Sequence, residues 1–410
     1  MIDGRVAQGF EEVRREFARN FERRREVGAA CAAYVNGVKV VDLWGGRRHF
    51  RKPDPWEEDT LVMVYSTSKG LAAMAVALAH SRGLFDYDAT VASYWPEFAQ
   101  NGKEEITVRQ LLAHQAGLSG VDERLDAKVL ADFDVLAEAL AKQKPAWEPG
   151  TRHGYHALSI GWYEAALLRR IDPDQRSLGR FFAEEIAEPL DLEFYFGLPE
   201  DVPSERVARI KDESPVQMLI HPTAMPPAMM LAFTRKRSLT YRAFVNPRTR
   251  GPSGFDRPEY RAVEIPSAGG IGQVRSVARV YSEFATGGAT LGLRQETLEE
   301  VTAPARPPSK SERDLVLMVP TAYSLGWVRP TRRSPFGSSE RAFGHPGAGG
   351  SFGFADPDLG VSFAYAPNRH GHHLANDPRE KALRDALYRC LARGAGSGEG
   401  LPEQAGVVGD

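Results

Sequence analysis

Ser66-Thr67-Ser68-Lys69 places a hydroxyl three residues ahead of an amine, at the front of the apolar run GLAAMAVALAHSRG. On a helix, positions i and i+3 share a face, so the two side chains can meet. A serine hydroxyl is a poor nucleophile until a base removes its proton. A buried lysine with a depressed pKa can be that base, and a helix amino terminus favours the negative charge that develops. The pair therefore suits acyl transfer. A helix-capping serine followed by a surface lysine would spell the same four letters, so context has to separate the two readings.

Two further segments supply that context. Tyr155 follows the turn EPGTRH and precedes the helical pattern HALSIGW. A phenol there can point into a cleft and, beside a lysine, relay protons; the plainer alternative is a core tyrosine with a tethered hydroxyl. The second is Gly344-His345-Pro346-Gly347-Ala348-Gly349-Gly350-Ser351. Its glycines let backbone approach a ligand closely and aim an amide N–H at a reacting carbonyl oxygen. A tight turn between strands is the competing reading.

The elements that must position these groups are readable in outline. Val6, Phe10, Val13, Phe17 and Phe21 form one apolar stripe, predicting an amphipathic helix over residues 5–26. Asn36-Gly37 then joins two β-prone runs as a hairpin turn, so the expected start is helix, strand, strand. Helices are expected at 67–82, 107–114, 129–143, 157–171 and 178–187, with Thr107 as an N-cap and Gly117 as a stop. Strand character returns at 314–328, 341–345 and 360–366, and 379–393 carries Leu383, Ala386, Leu387 and Leu391 on one helical face. The fold class is α+β: an antiparallel sheet flanked by the terminal helices, plus a mainly helical region. The sheet domain is expected from residues 1–65 and 263–393, the helical one from 66–262, and a disordered Gly-rich tail over 394–410.

Composition narrows the function classes. The chain has 410 residues, 42% of them hydrophobic, and a formal net charge of −2. No strong field draws in nucleic acid or an anionic membrane. Cys31 and Cys390 stand alone, without a C-x-x-C pair, so neither a disulfide framework nor a zinc knuckle is expected. The opening MIDGRVAQGFEEVRR mixes both charges and lacks the apolar stretch of about 7–15 residues that a signal peptide carries, which reads as cytoplasmic. The longest apolar run, Leu71 to Ala79, is about half of a membrane span.

Taken jointly, the S-x-x-K opening a helix, the tyrosine after W-x-P-G-x-x-x-x-Y and the late G-H-x-G segment resemble serine hydrolases of the class C β-lactamase superfamily. YHALSIGW is similar to the branch of family VIII carboxylesterases. ITVRQLLAHQAGL, SAGGIGQVRSVARVYSEFA and GHPGAGGSFGFADP extend the resemblance over about residues 5–392. It implies a β-lactamase/penicillin-binding-protein-like fold and Ser66 as nucleophile. It also implies Lys69 and Tyr155 as proton-transfer partners, the N–H groups of Ser66 and Ala348 as oxyanion hole, and Tyr65, His156, His345 and Gly347 as substrate contacts. A water would hydrolyse the acyl-enzyme, and no cofactor or metal is called for. β-Lactamases of this superfamily carry an asparagine two residues after the tyrosine and Lys-Thr-Gly on the edge strand. Here Ala157 and His345-Pro346-Gly347 stand there, which points to a small or medium ester as substrate with only weak lactam turnover. A β-lactamase, D-aminopeptidase or acyltransferase would share every catalytic residue, and a non-catalytic ligand-binding relative is the physically distinct alternative.

Three other patterns compete. Gly349-Gly350-Ser351-Phe352-Gly353 fits G-x-S-x-G, with Asp358 and His370 following, but a nucleophile elbow needs a strand before the serine and a helix after it. Here a turn precedes and a strand follows. His370, His372, His373 and Asp377 lack metal-ligand spacing and read as a loop beside the cleft. Met218, Met225, Met229 and Met230 suit either a pocket for groups of variable shape or a lid packed on its own underside.

Overall fold

Period-two patterning builds the main sheet. In the computed structural model, which describes residues 1–212, 225–249 and 251–394, the strands are β1 (Ile2–Val6), β2 (Gly28–Val35), β3 (Val38–Gly46), β4 (Val62–Met63), β5 (Phe194–Phe196), β6 (Gly270–Gly272), β7 (Phe343–Pro346), β8 (Phe352–Asp356) and β9 (Val361–Pro367). Six of them pair antiparallel in the order β1-β3-β2-β9-β8-β7, and a small sheet has the order β4-β6-β5. Along β2, Cys31, Ala33 and Val35 face one core while Ala32 and Tyr34 face the other; β9 divides Phe363 and Tyr365 from Ala364 and Ala366 in the same way.

The face bearing Phe354, Phe363 and Tyr365 is covered by the two terminal helices, α1 (Glu11–Arg23) and, by the numbering used here, α5 (Pro378–Ala392). Leu383, Ala386 and Leu387 are buried there, and Leu391 packs at its margin. The opposite face carries small residues, so a third helix lies close: a Cβ on Gly353 would come within 2.7 Å of Tyr281 and 2.9 Å of Val277 on α4 (Val274–Ala285). Beyond α4 the core continues into helices, chiefly α2 (Ser68–Ser81) and α3 (Ser159–Ile171).

Several expected elements stand: the Asn36-Gly37 turn has positive φ at both residues, and Thr107 closes a capping box with Gln110. Others differ. The stripe from Val6 is not all helix, because Gly4 at φ +97° lies against the Asp42 carbonyl and residues 2–6 pair with β3 as an edge strand; the chain starts strand, helix, strand, strand. The 129–143 helix is two, Ala127–Ala131 and Phe133–Lys142, because the Asp132 carboxylate caps the second. No strand forms over 314–328. The Asp314 carboxylate takes the N–H groups of Val316 and Leu317, both at 2.7 Å, and Met318 turns to φ +62°, so the segment curls instead of pairing. Except for Gly394, the expected tail lies outside the described residues. No helix among the described residues is long and apolar enough to cross a membrane.

Arg379, at the start of α5, bonds Asp377 and Glu26 and donates to the carbonyls of Arg369 and Gly349, at 2.8 and 2.6 Å. It ties the terminal helix to the glycine-rich loop. Arg379→Ala leaves two buried carboxylates uncompensated and is expected to cost about 3–5 kcal/mol of stability by urea denaturation.

Candidate active site

From Leu61 through Ser81 every residue is buried except Ser66. Strand β4 leads into a 3₁₀ turn, Tyr65–Thr67, before α2 begins, and Tyr65 sits at φ +50°, an uncommon conformation for a residue with a side chain. That turn is held from two sides. The Val64 N–H donates to the Gly270 carbonyl at 3.0 Å, and the Ser351 hydroxyl donates to the Val64 carbonyl at 2.7 Å while meeting the Thr67 hydroxyl at 3.1 Å. Gly347 fits between these groups only because it lacks a Cβ, which would fall 2.2 Å from Ser351 Oγ and 2.4 Å from the Val64 oxygen.

One helical turn beyond Ser66, Lys69 is 1% exposed. Its Nζ donates to Ser66 Oγ at 3.1 Å and to the Ser267 carbonyl at 2.8 Å, and lies 5.0 Å from the centre of the Tyr155 ring. Burial pushes the amine down to about 7, opposed by the charge of Glu164. Tyr155 comes in from the loop before α3. That loop is set by the Gly154 N–H on the His114 carbonyl (3.0 Å) and the Leu315 N–H on the His153 carbonyl (3.1 Å). Burial raises the Tyr155 phenol far above its usual range, countered by the Ser66 hydroxyl. His345 Nδ1 donates to the Pro346 carbonyl at 2.8 Å, leaving Nε2 to accept, 3.5 Å from the Tyr155 hydroxyl. Burial holds this imidazole down to about 3, so it is neutral.

Ser66, Tyr155, His345, Gly347 and Ala348 line one cavity of about 490 Å³. Ala348 is exposed at its edge, and no turn or loop backbone bond among the described residues engages the N–H of Ser66 or Ala348. Its apolar wall includes Phe244, Leu317, Val319 and Phe352.

Two expected substrate contacts do not reach this cavity. His156 is fully buried: its Nδ1 donates to the Gly154 carbonyl at 2.7 Å and its Nε2 accepts from the Leu118 N–H at 3.0 Å, so both ring nitrogens are spent on backbone. Tyr65 turns its ring onto His370 and its hydroxyl to the Pro252 carbonyl. The residues of the rejected elbow go to separate partners: Ser351 to Val64, Asp358 to Arg341 and His370 to Asp212. Among the described residues no cluster could hold a metal ion. Met225 lines the cavity and Met229 is buried, while Met218 lies outside the described residues. Sequence reasoning missed Ser267, which anchors the lysine through a main-chain oxygen, and Asp314, whose bond to the Tyr323 hydroxyl (2.8 Å) braces the loop behind Tyr155. A carbonyl leaves no mark in side-chain chemistry, whereas the Asp314 signal was hidden by the strand reading.

The pattern of the family described as Beta-lactamase matches residues 13–388. The chain is 37% identical to the esterase/beta-lactamase LipL of Mycobacterium tuberculosis over 370 residues, 90% of this chain and 83% of that protein. It superposes on the crystal structure of a family VIII carboxylesterase with a TM-score of 0.84 at 38% identity, covering 95% of this chain and all of that one (100%). EstA from Arthrobacter nitroguajacolicus Rue61a gives a TM-score of 0.82 at 33% identity, covering 95% and 99%.

Ser351→Ala removes the donor to the Val64 carbonyl and the partner of the Thr67 hydroxyl. A stability loss of about 1–3 kcal/mol in urea is expected, with a serine-directed fluorophosphonate still labelling the folded variant. Abolished labelling would return Ser351 to consideration as nucleophile.

Proposed function

The chain belongs to the beta-lactamase family, and from that premise we propose that Ser66, Lys69 and Tyr155 form one acyl-transfer centre that hydrolyses small to medium carboxylic esters. The protein is a serine ester hydrolase. The observation that carries the assignment of the centre is the buried Lys69 amine 3.1 Å from the one solvent-reaching hydroxyl of its segment.

In the proposed reaction the ester carbonyl oxygen sits between the N–H groups of Ser66 and Ala348, which favour the charge that develops on it. Lys69, as free amine, takes the Ser66 proton as Oγ attacks the carbonyl carbon. The Tyr155 phenol, held far from ionisation by burial, then serves as acid and donates a proton to the departing alkoxide. Water enters as the alcohol leaves, gives up a proton to the same groups, attacks the acyl-enzyme and restores Ser66. The apolar wall suits the acyl or alcohol portion of an uncharged ester. Neutral His345 and Ala157 offer neither the cation nor the amide that an anionic β-lactam would use at those positions, so lactam turnover is weak.

Ser66→Ala is expected to abolish both fluorophosphonate labelling and turnover of p-nitrophenyl acetate and butyrate; retained labelling sinks the assignment. Nitrocefin turnover far below ester turnover is expected of the wild type. Lys69→Ala and Tyr155→Phe should each lower kcat/KM at least about a hundredfold. With Lys69 required as free base, kcat/KM should rise through about pH 7, the value to which burial lowers the amine; a profile flat across that range removes Lys69 as base.

A further inference from the structure

A second cleft, of about 640 Å³, opens where the β2–β3 hairpin meets the start of α4, and no residue lining it lines the catalytic cavity. Tyr34 on β2 pairs in register with Lys39 on β3, and α4 packs on β2 from the side that Tyr34 faces. From α4 come Arg275, Ser276 and Arg279, with Gln273 just ahead of them. Among the described residues, three cations and one acid, Asp191, line the cleft. The helix adds to that sign. Its first turn carries no acid and its N-cap, Gln273, makes no side-chain cap, so the positive end of its dipole is uncompensated.

Hydrogen-bond donors here outnumber the acceptors they could meet. Tyr34 is 7% exposed, yet its hydroxyl has no partner among the described residues. That hydroxyl is not one of the orphan groups sealed in the core, and it opens on the cleft. Burial, with the charge of Asp42, pushes the phenol up to about 12 against the pull of Arg279 and Arg275, so it stays a donor. Ser276 Oγ accepts from the Glu193 N–H at 3.0 Å and keeps its own proton to give. Arg279 makes one polar contact, Nη1 to Glu283 Oε2 at 3.3 Å, and that carboxylate already takes the N–H of Thr290 at 2.6 Å and its hydroxyl at 3.1 Å. Four of the five guanidinium N–H groups are left over. Lys39 and Arg275 are engaged, by Asp42 at 2.7 Å and Glu58 at 2.9 Å. An enclosed donor with no acceptor is rare in a folded protein. Here two residues and an uncapped helix start offer donors to one space.

We propose that this cleft is a second ligand site, separate from the catalytic cavity, which binds the oxyanion of a small molecule, a carboxylate or a phosphate, between the Tyr34 hydroxyl, Arg279 and the first turn of α4. The proposal does not depend on the reading of the catalytic centre.

The probes are inorganic phosphate and, separately, succinate, titrated by calorimetry with ionic strength held constant by sodium chloride; the tighter of the two tells the phosphate source from the carboxylate. Arg279→Gln removes the charge, and Tyr34→Phe removes only the hydroxyl. Saturable binding is expected in the wild type. It should weaken at least about tenfold in Arg279→Gln, the scale of a lost charge-assisted hydrogen bond, and by about threefold to tenfold in Tyr34→Phe. Both variants should hydrolyse p-nitrophenyl acetate at the wild-type rate when no anion is added. Tyr34→Phe breaks no hydrogen bond of the folded protein, so it carries the test should Arg279→Gln fail to fold. Absence of saturable binding, or equal affinities in the wild type and both variants, would overturn the proposal. So would competitive inhibition of ester turnover by the anion that persists unchanged in Arg279→Gln, because the anion would then sit in the catalytic cavity.

Discussion

An ammonium group taken out of water beside a hydroxyl is the constraint on which the rest of the structure turns. In the open, Lys69 would hold its proton throughout the neutral range and could not act as a base. Burial changes that, but it must be compensated by oriented groups, here the Ser66 hydroxyl and the Ser267 carbonyl. The surroundings follow from this need. Helix α2 is apolar on all sides because it runs through the core, and the segment delivering Ser66 is closed everywhere except at that side chain. A site of this kind is dry at its base and open only where substrate arrives, the arrangement in which fixed dipoles count most.

Holding the Ser66 turn and the glycine-rich loop together is a separate problem, met by close backbone approach rather than by bulk. Gly347 lies against Val64 and Thr67 where any side chain would collide, and Ser351 stitches the two segments through its hydroxyl. From behind, Arg379 binds the Gly349 carbonyl, so the glycine-rich loop is tied to the terminal helix. The serine that looks like an elbow nucleophile is thus part of the scaffold, its hydroxyl already committed to a carbonyl.

Much of this was legible in the chain. The β-prone runs on either side of the Asn36-Gly37 turn, the apolar run 360–366 and the Thr107 cap are local signals, and local physics honours them. Where readings failed, either a distant partner or a local side-chain hydrogen bond won. Residues 2–6 joined the stripe of α1 by spacing but found β3 to pair with, and the apolar run 314–328 was curled by one carboxylate binding its own downstream amides. His156 stood next to Tyr155 in sequence, yet neighbours along a chain entering a helix point in different directions, and its ring turned inward to backbone.

By itself the sequence determined the chemical types available and their spacing along single elements: a hydroxyl and an amine one helical turn apart, a phenol at a helix entrance, glycines where an amide could approach a ligand. Only the tertiary structure decided which of them share a cavity, because that depends on contacts between segments as remote as Val64 and Ser351, or Lys69 and Ser267. It also decided what those groups are chemically. A lysine, a histidine or a glutamate acquires its working charge from how much water the fold removes and which charges it leaves nearby, and neither quantity is written at the position of the residue.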